Sequence, residues 1–160
     1  MTDPMTPSGA DFRPVSPELA WVRLVAAAIW CGVPLLAFAV LALLVSPWFW
    51  TGAGVALAIL LWLAWLLPRQ VRALGFAETD DEFLVRRGIM FRSLNVIPYG
   101  RIQYVDVNEG PVARHFGIAS ITLHTASAET SGTIDGLPAE EAVRLRDMLA
   151  RRGSAELAGL

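Results

Sequence analysis

A membrane hairpin of two helices, followed by a small antiparallel sheet domain closed by one helix, is the fold class the 160-residue sequence predicts. Three observations predict it. From Leu24 to Leu67 there is no Asp, Glu, Lys, Arg or His. From Gly75 onward apolar residues recur at every second position, in short runs broken by glycine, proline or acidic turns. After Pro138 the apolar spacing becomes helical.

The composition agrees. Hydrophobic residues make up 54% and charged residues 18%, against about 25% charge in a typical soluble domain. A net charge of −2 argues against nucleic-acid binding, which calls for a basic surface. A single cysteine excludes an internal disulfide framework and a four-cysteine zinc site. All 13 basic residues are arginine, which excludes a lysine Schiff base or a P-loop lysine.

Taken in order, residues 1–20 hold prolines and small polar residues and read as a disordered cytoplasmic segment. The apolar run that follows is too long for one membrane span of ~20 residues and suits two. Ser46-Pro47-Trp48-Phe49-Trp50-Thr51-Gly52 divides it, because Pro47 ends a helix and the aromatic trio suits the membrane interface. The spans are placed near residues 24–45 and 49–67, within a membrane segment 21–68. A cleaved signal peptide fits poorly, since the run far exceeds a signal core of about 7–15 residues. Pro34 is tolerable inside a span, where neighbouring groups can satisfy the freed carbonyl. Small residues recur four apart (Ala28 and Gly32, Gly52 and Ala56, Gly54 and Ala58), a spacing that lets helices approach closely. Cys31 reads as a small apolar residue.

Arg13 and Arg23 precede the first span, Arg69 and Arg72 follow the second, and the connecting loop is uncharged. The positive-inside rule therefore places both termini in the cytoplasm of a multi-pass membrane protein. Arg69 and Arg72 are the juxtamembrane pair.

Residues 69–153 form the expected cytoplasmic domain. Leu74–Glu78 reads as a strand and Thr79-Asp80-Asp81-Glu82 as an acidic turn. Phe83–Gly88 is a second strand, and Ile89-Met90-Phe91 a loop or strand end. Ser93–Ile97 has Leu94 and Val96 on one face. Ile102–Glu109 follows, with Val105 and Val107 on one side and Tyr104, Asp106 and Asn108 on the other. Gly110-Pro111 is a turn, Ala119–Thr125 a strand with Ile121 and Leu123 inward, Ala126–Ser131 a polar loop, and Thr133–Asp135 a short strand. Six or seven short strands of this kind curl into a barrel or sandwich. The last helix starts at Pro138, with Glu140 and Glu141 at its positive end. Ala142, Leu145, Met148 and Leu149 form its apolar stripe. Glu140–Arg144 and Asp147–Arg151 are expected i,i+4 pairs, and Gly153 is the expected stop, leaving 154–160 as a disordered tail.

These residues resemble the bacterial pleckstrin-homology (PH) membrane protein family of the YdbS type. The likeness rests on Arg87-Gly88, Ile97-Pro98-Tyr99-Gly100-Arg101-Ile102-Gln103, Val105, Gly110-Pro111, Arg114-His115-Phe116-Gly117, Thr122-Leu123 and Gly136-Leu137-Pro138. It covers Phe76 to Arg152, behind a hairpin also typical of that family. It implies an α+β PH-like fold of two near-orthogonal antiparallel sheets with a C-terminal capping helix, and no cofactor. Eukaryotic PH domains often read phosphoinositides with a basic loop between their first two strands. The corresponding turn here, Thr79–Glu82, is acidic.

Catalytic and metal-binding constellations are not expected. His115 and His124 match no compact ligand spacing. Asp80, Asp81 and Glu82 lack the repeated spacing and distal Glu of a calcium loop. Ser120, Ser127 and Ser131 have no nucleophile-elbow context. The arginines remain. Arg86, Arg92 and Arg114 are the candidates for lipid or partner contact, while Arg87 and Arg101 suit cross-sheet pairs with acids. The expected function is non-enzymatic: protein association or self-association near the bilayer, with the resemblance implying a bacterial inner membrane and a part in envelope homeostasis. The alternatives are reading of anionic lipid headgroups by the arginines and service as an accessory subunit of an envelope transporter or enzyme.

Overall fold

The structure, a computed structural model, describes residues 11–126 and 131–158. The expectations for residues 1–10, for the centre of the Ala126–Ser131 loop and for the last two residues lie outside the described residues. The chain forms two compact units: Ala20–Arg69, and a second made of the residues up to Leu19 together with those from Gln70 onward.

The first unit is the hairpin. Helix α1 spans Glu18–Leu44, a one-turn 3-10 helix spans Pro47–Phe49, and α2 spans Trp50–Arg72. The 27 residues of α1 rise about 40 Å at ~1.5 Å each, enough for a hydrocarbon core of ~30 Å. The break falls at Ser46-Pro47 as expected, and the Ser46 hydroxyl accepts from the Trp48 N–H at the cap. Pro34 lies inside α1 and Pro68 inside α2. The second helix therefore outlasts its expected end at Leu67. Pro68 removes one hydrogen bond, but Arg69, Gln70 and Arg72 are sound helix formers and carry the last turn onward. Of the small-residue pairs, Gly52 is used within the hairpin. A Cβ there would stand 2.9 Å from the Phe38 ring, whereas Gly32 and Gly54 have nothing within 4 Å.

The second unit holds two antiparallel sheets. One has the order β1-β2-β3-β4, with strands Arg13–Pro14, Gly75–Glu78, Glu82–Arg87 and Ser93–Pro98. The other has the order β5-β6-β7, with strands Ile102–Asn108, Ile118–Thr125 and Gly132–Pro138. Their apolar side chains meet in one core, where Phe83, Ile97, Tyr99, Ile121, Leu123 and Leu137 are fully buried. Helix α4, Ala139–Ala158, adds Ala142, Leu145 and Leu149, all fully buried; Met148 at the stripe's edge is half-buried. The chain is thus a helical hairpin followed by two antiparallel sheets and a C-terminal helix, a PH-like arrangement.

Several local expectations differ. Residues Phe12–Leu19 fold onto the domain. Arg13 pairs with Phe76 and Pro14 with Gly75, the Ser16 N–H donates to the Gly136 carbonyl, and Val15 and Leu19 are buried. The apolar residues spaced among the prolines supply this anchorage. Strand β4 alternates as expected, with Leu94 and Val96 on the face opposite the buried Ile97, which is the partner of the core residue Phe83. Gly110-Pro111 starts a one-turn helix, α3, over Pro111–His115. Gly153 does not stop α4. A Cβ there would lie 3.4 Å from the carbonyl oxygens of Tyr99 and Ile102, so the missing side chain lets the helix press onto that backbone. The residues after it favour helix, and the backbone continues to Ala158 instead of forming a disordered tail.

Candidate functional site

Two hairpin turns of the first sheet place the charged and apolar groups that matter. The β2–β3 turn, Thr79–Asp81, is tied to the domain. The Thr79 hydroxyl donates to the Glu82 carbonyl at 2.7 Å and accepts from the Glu82 N–H at 3.2 Å. The Tyr99 hydroxyl donates to the Thr79 carbonyl at 3.0 Å, and the Tyr99 N–H donates to the Asp81 carbonyl at 3.2 Å. Arg152 of α4 donates to the carbonyls of Thr79 (2.8 Å) and Asp80 (3.0 Å), with its guanidinium 4.9 Å from the Tyr99 ring. Burial pushes the Tyr99 phenol above its ordinary range, and the Arg152 charge opposes that shift. This turn, where headgroup binding would be expected by resemblance, carries acidic side chains and spends its backbone carbonyls on Tyr99 and Arg152.

The β3–β4 turn is built in the opposite way. Arg87 pairs with Ser93, so residues 88–92 close the hairpin. Gly88 stands at φ +94°, and a Cβ there would run into the Phe91 carbonyl. Only glycine allows so tight a reversal. The reversal turns the next three side chains outward: Ile89 is 45% exposed, Met90 86% and Phe91 88%. Arg87 precedes them, and an exposed Arg92 follows. In the sequence Ile89-Met90-Phe91 reads only as a loop or strand end, with no function attached. The available signal was an apolar triplet between arginines directly after a glycine.

The predicted arginines do not form one cluster. Arg86 lies in β3 with its guanidinium 4.7 Å from the Phe12 ring, partly covered by the N-terminal segment. Arg92 belongs to the β3–β4 turn. Arg114 is exposed in the last turn of α3, beside the other sheet. Among the described residues neither Arg87 nor Arg101 makes the expected cross-sheet ion pair. Of the juxtamembrane pair, Arg69 stacks 3.7 Å from the centre of the Trp65 ring, and Arg72 is the exposed last residue of α2.

On α4, Arg144 takes partners other than the expected Glu140. Arg144 bridges Glu141 at 2.6 Å and Glu78 of β2 at 2.7 Å, so it ties helix to sheet and does not pair with Glu140. The hydrogen bond from Arg144 holds the Glu141 carboxyl below the usual carboxylate range against the opposing effect of burial, with help from the Arg144 and Arg13 charges. Asp147 pairs with Arg146 at 2.7 Å. The two histidines are not brought together. His115 packs edge-on against Phe116, while His124 stacks on Tyr104 with ring centres 4.2 Å apart and meets Asp106 at 3.1 Å. Among the described residues no group of three His, Cys, Asp or Glu could hold a metal ion.

An apolar helical hairpin joined to a two-sheet, one-helix domain defines a membrane protein with a PH-like domain. The profile described as "Bacterial PH domain" matches residues 15–153, and the chain belongs to that family. It is 33% identical over 72 residues to the "UPF0699 transmembrane protein YdbS" of Bacillus subtilis (strain 168), a match covering 45% of this chain and 44% of that one. The chain thus spans less than half the length of this relative. No solved structure matches the chain.

Proposed function

We propose that the chain is a non-enzymatic, multi-pass membrane protein with both termini in the cytoplasm, whose PH-like domain is a binding module held at the bilayer surface. The observation that carries this reading is the β3–β4 turn: two large apolar side chains, Met90 and Phe91, almost wholly exposed on a backbone fixed by Gly88. Burying such side chains on a target is worth roughly 1.5–3 kcal/mol each. Protein association and lipid contact, two of the three roles the sequence suggests, both need a presented surface of this kind. The polar groups elsewhere support the reading, since Tyr99, Arg144 and Arg152 act within the domain.

Photo-crosslinking in native membranes tests it. A photoreactive amino acid at Phe91 should give protein or lipid adducts well above those from the exposed position Gln103. Equal yields at the two positions would remove the turn as the module's contact surface.

A further inference from the structure

The β3–β4 turn has a local electrostatic setting that the domain as a whole lacks. From Phe83 to Val105 there is no acidic residue, while Arg86, Arg87, Arg92 and Arg101 all fall in that stretch. Two of these bracket the exposed apolar triplet, Arg92 directly and Arg87 across Gly88. The acids nearest in sequence are Glu82, at the far end of β3 from the turn, and Asp106 on β5. The domain's net charge therefore hides a basic, apolar-tipped end of one hairpin.

We infer that this tip is an interfacial wedge, with Ile89, Met90 and Phe91 entering the headgroup boundary of an anionic bilayer and Arg87 and Arg92 meeting lipid phosphates. Apolar side chains ringed by arginine are the chemistry of segments that lie in the membrane interface, with the apolar part sunk about 5–10 Å. Basic residues beside an anionic surface are attracted to it within a screening length. The membrane is always at hand, because α2 ends at Arg72 and β2 begins at Gly75. A link that short keeps the effective concentration of bilayer around the domain high. The shape of the tip also favours lipid over protein. A stable protein interface needs roughly 800 Å² from each partner, and three side chains on a convex turn do not supply it. A soft headgroup layer needs no complementary surface.

This inference rests on the turn being the module's contact surface, and the test separates the two. The full chain, with Cys31→Ser and a polarity-sensitive label at Met90→Cys, is reconstituted in vesicles of mixed zwitterionic and anionic lipid. A parallel sample carries the label at Gln103→Cys. Lipids spin-labelled high in the acyl chain should quench the Met90 label several-fold more than the Gln103 label. The excess should fall toward the Gln103 level in vesicles of zwitterionic lipid alone, and with Arg87→Ser and Arg92→Ser together. Protection of the Met90 label from an aqueous quencher without quenching by lipid would mean that a second copy covers the tip. That result overturns the wedge and leaves the binding module standing. A Met90 label as open to the aqueous quencher as Gln103 also overturns the wedge. The module itself then falls only if the Phe91 crosslinks in native membranes fail too.

Discussion

The two turns of the first sheet differ in what their backbones and side chains are committed to. The β2–β3 turn is polar, acidic and bound to the domain through Tyr99 and Arg152. The β3–β4 turn is apolar, basic at its margins and reversed at Gly88. The first is a structural joint, and its loss should cost stability. The second presents side chains that contribute little to the fold, and its loss should cost binding. A turn's position in a fold therefore does not decide its role; what its backbone carbonyls and side chains are committed to does.

The largest effect should come from the support beneath the joint. Leu145 is fully buried on the inner face of α4, and Leu145→Ala should cost about 2–5 kcal/mol. All six tryptophans lie in the hairpin, so fluorescence is blind to this loss. Amide exchange of β6 and β7 in the full chain in detergent is the measurement, and unchanged protection would show that the helix is not docked there. Next comes the reversal itself. Gly88→Ala forces a side chain into a left-handed backbone and against the Phe91 carbonyl, and should cost about 1–3 kcal/mol by the same exchange measurement. A neutral result would mean that the turn can take another shape.

Tyr99→Phe removes one hydrogen bond to Thr79 and leaves the one from Arg152, so a loss of about 0.5–1.5 kcal/mol is expected. The sign of its pH dependence also follows. A raised phenol favours the protonated form in the fold, so its contribution is full below the ordinary tyrosine range and is lost as pH rises through the raised value. The phenylalanine variant should lack that alkaline loss. Glu141 runs the other way. Its depressed carboxyl stabilises the fold at neutral pH, and that stability is lost as pH falls through the lowered value. Glu141→Gln should cost about 0.2–1 kcal/mol at neutral pH and flatten the acid limb of a stability profile; an acid limb as steep as that of the parent chain would move the effect to another carboxylate. The smallest change in stability should come from the presented turn. Met90→Ser with Phe91→Ser should stay within about 0.5 kcal/mol of the parent chain while abolishing crosslinks from a photoreactive amino acid placed at Ile89, the remaining exposed residue of the tip. A large loss of stability in that double variant would erase the contrast between the two turns.

Much of the fold was legible in the sequence because its signals are long or periodic. An uncharged run from Leu24 to Leu67 has few readings, and alternation around Ile121 and Leu123 or helical spacing at Ala142, Leu145 and Leu149 says which side chains are buried. What escaped depends on contacts between distant residues. Strand β1 is two residues long and exists because Phe76 lies beside Arg13. Helix α3 is a single turn, too short to show a period. Gly153 reads as a helix stop until the Tyr99 and Ile102 carbonyls are seen beneath it. The candidate site was half visible. Arg92 was singled out for its charge, but Ile89-Met90-Phe91 looks like an ordinary strand end, and only the backbone at Gly88 turns it outward.

The pairing of Arg13 with Phe76 has a consequence for biosynthesis. The first sheet begins before the membrane segment and resumes after it, so the hairpin is an insertion into the domain. The chain emerges from the ribosome in order, and β1 therefore waits unpaired until both spans have been made. Closing so long an intervening loop costs entropy that grows only as the logarithm of its length, so the delay is imposed by the order of synthesis far more than by free energy. The domain can complete its outer sheet only once the hairpin has been synthesised, which couples the folding of one unit to the birth of the other.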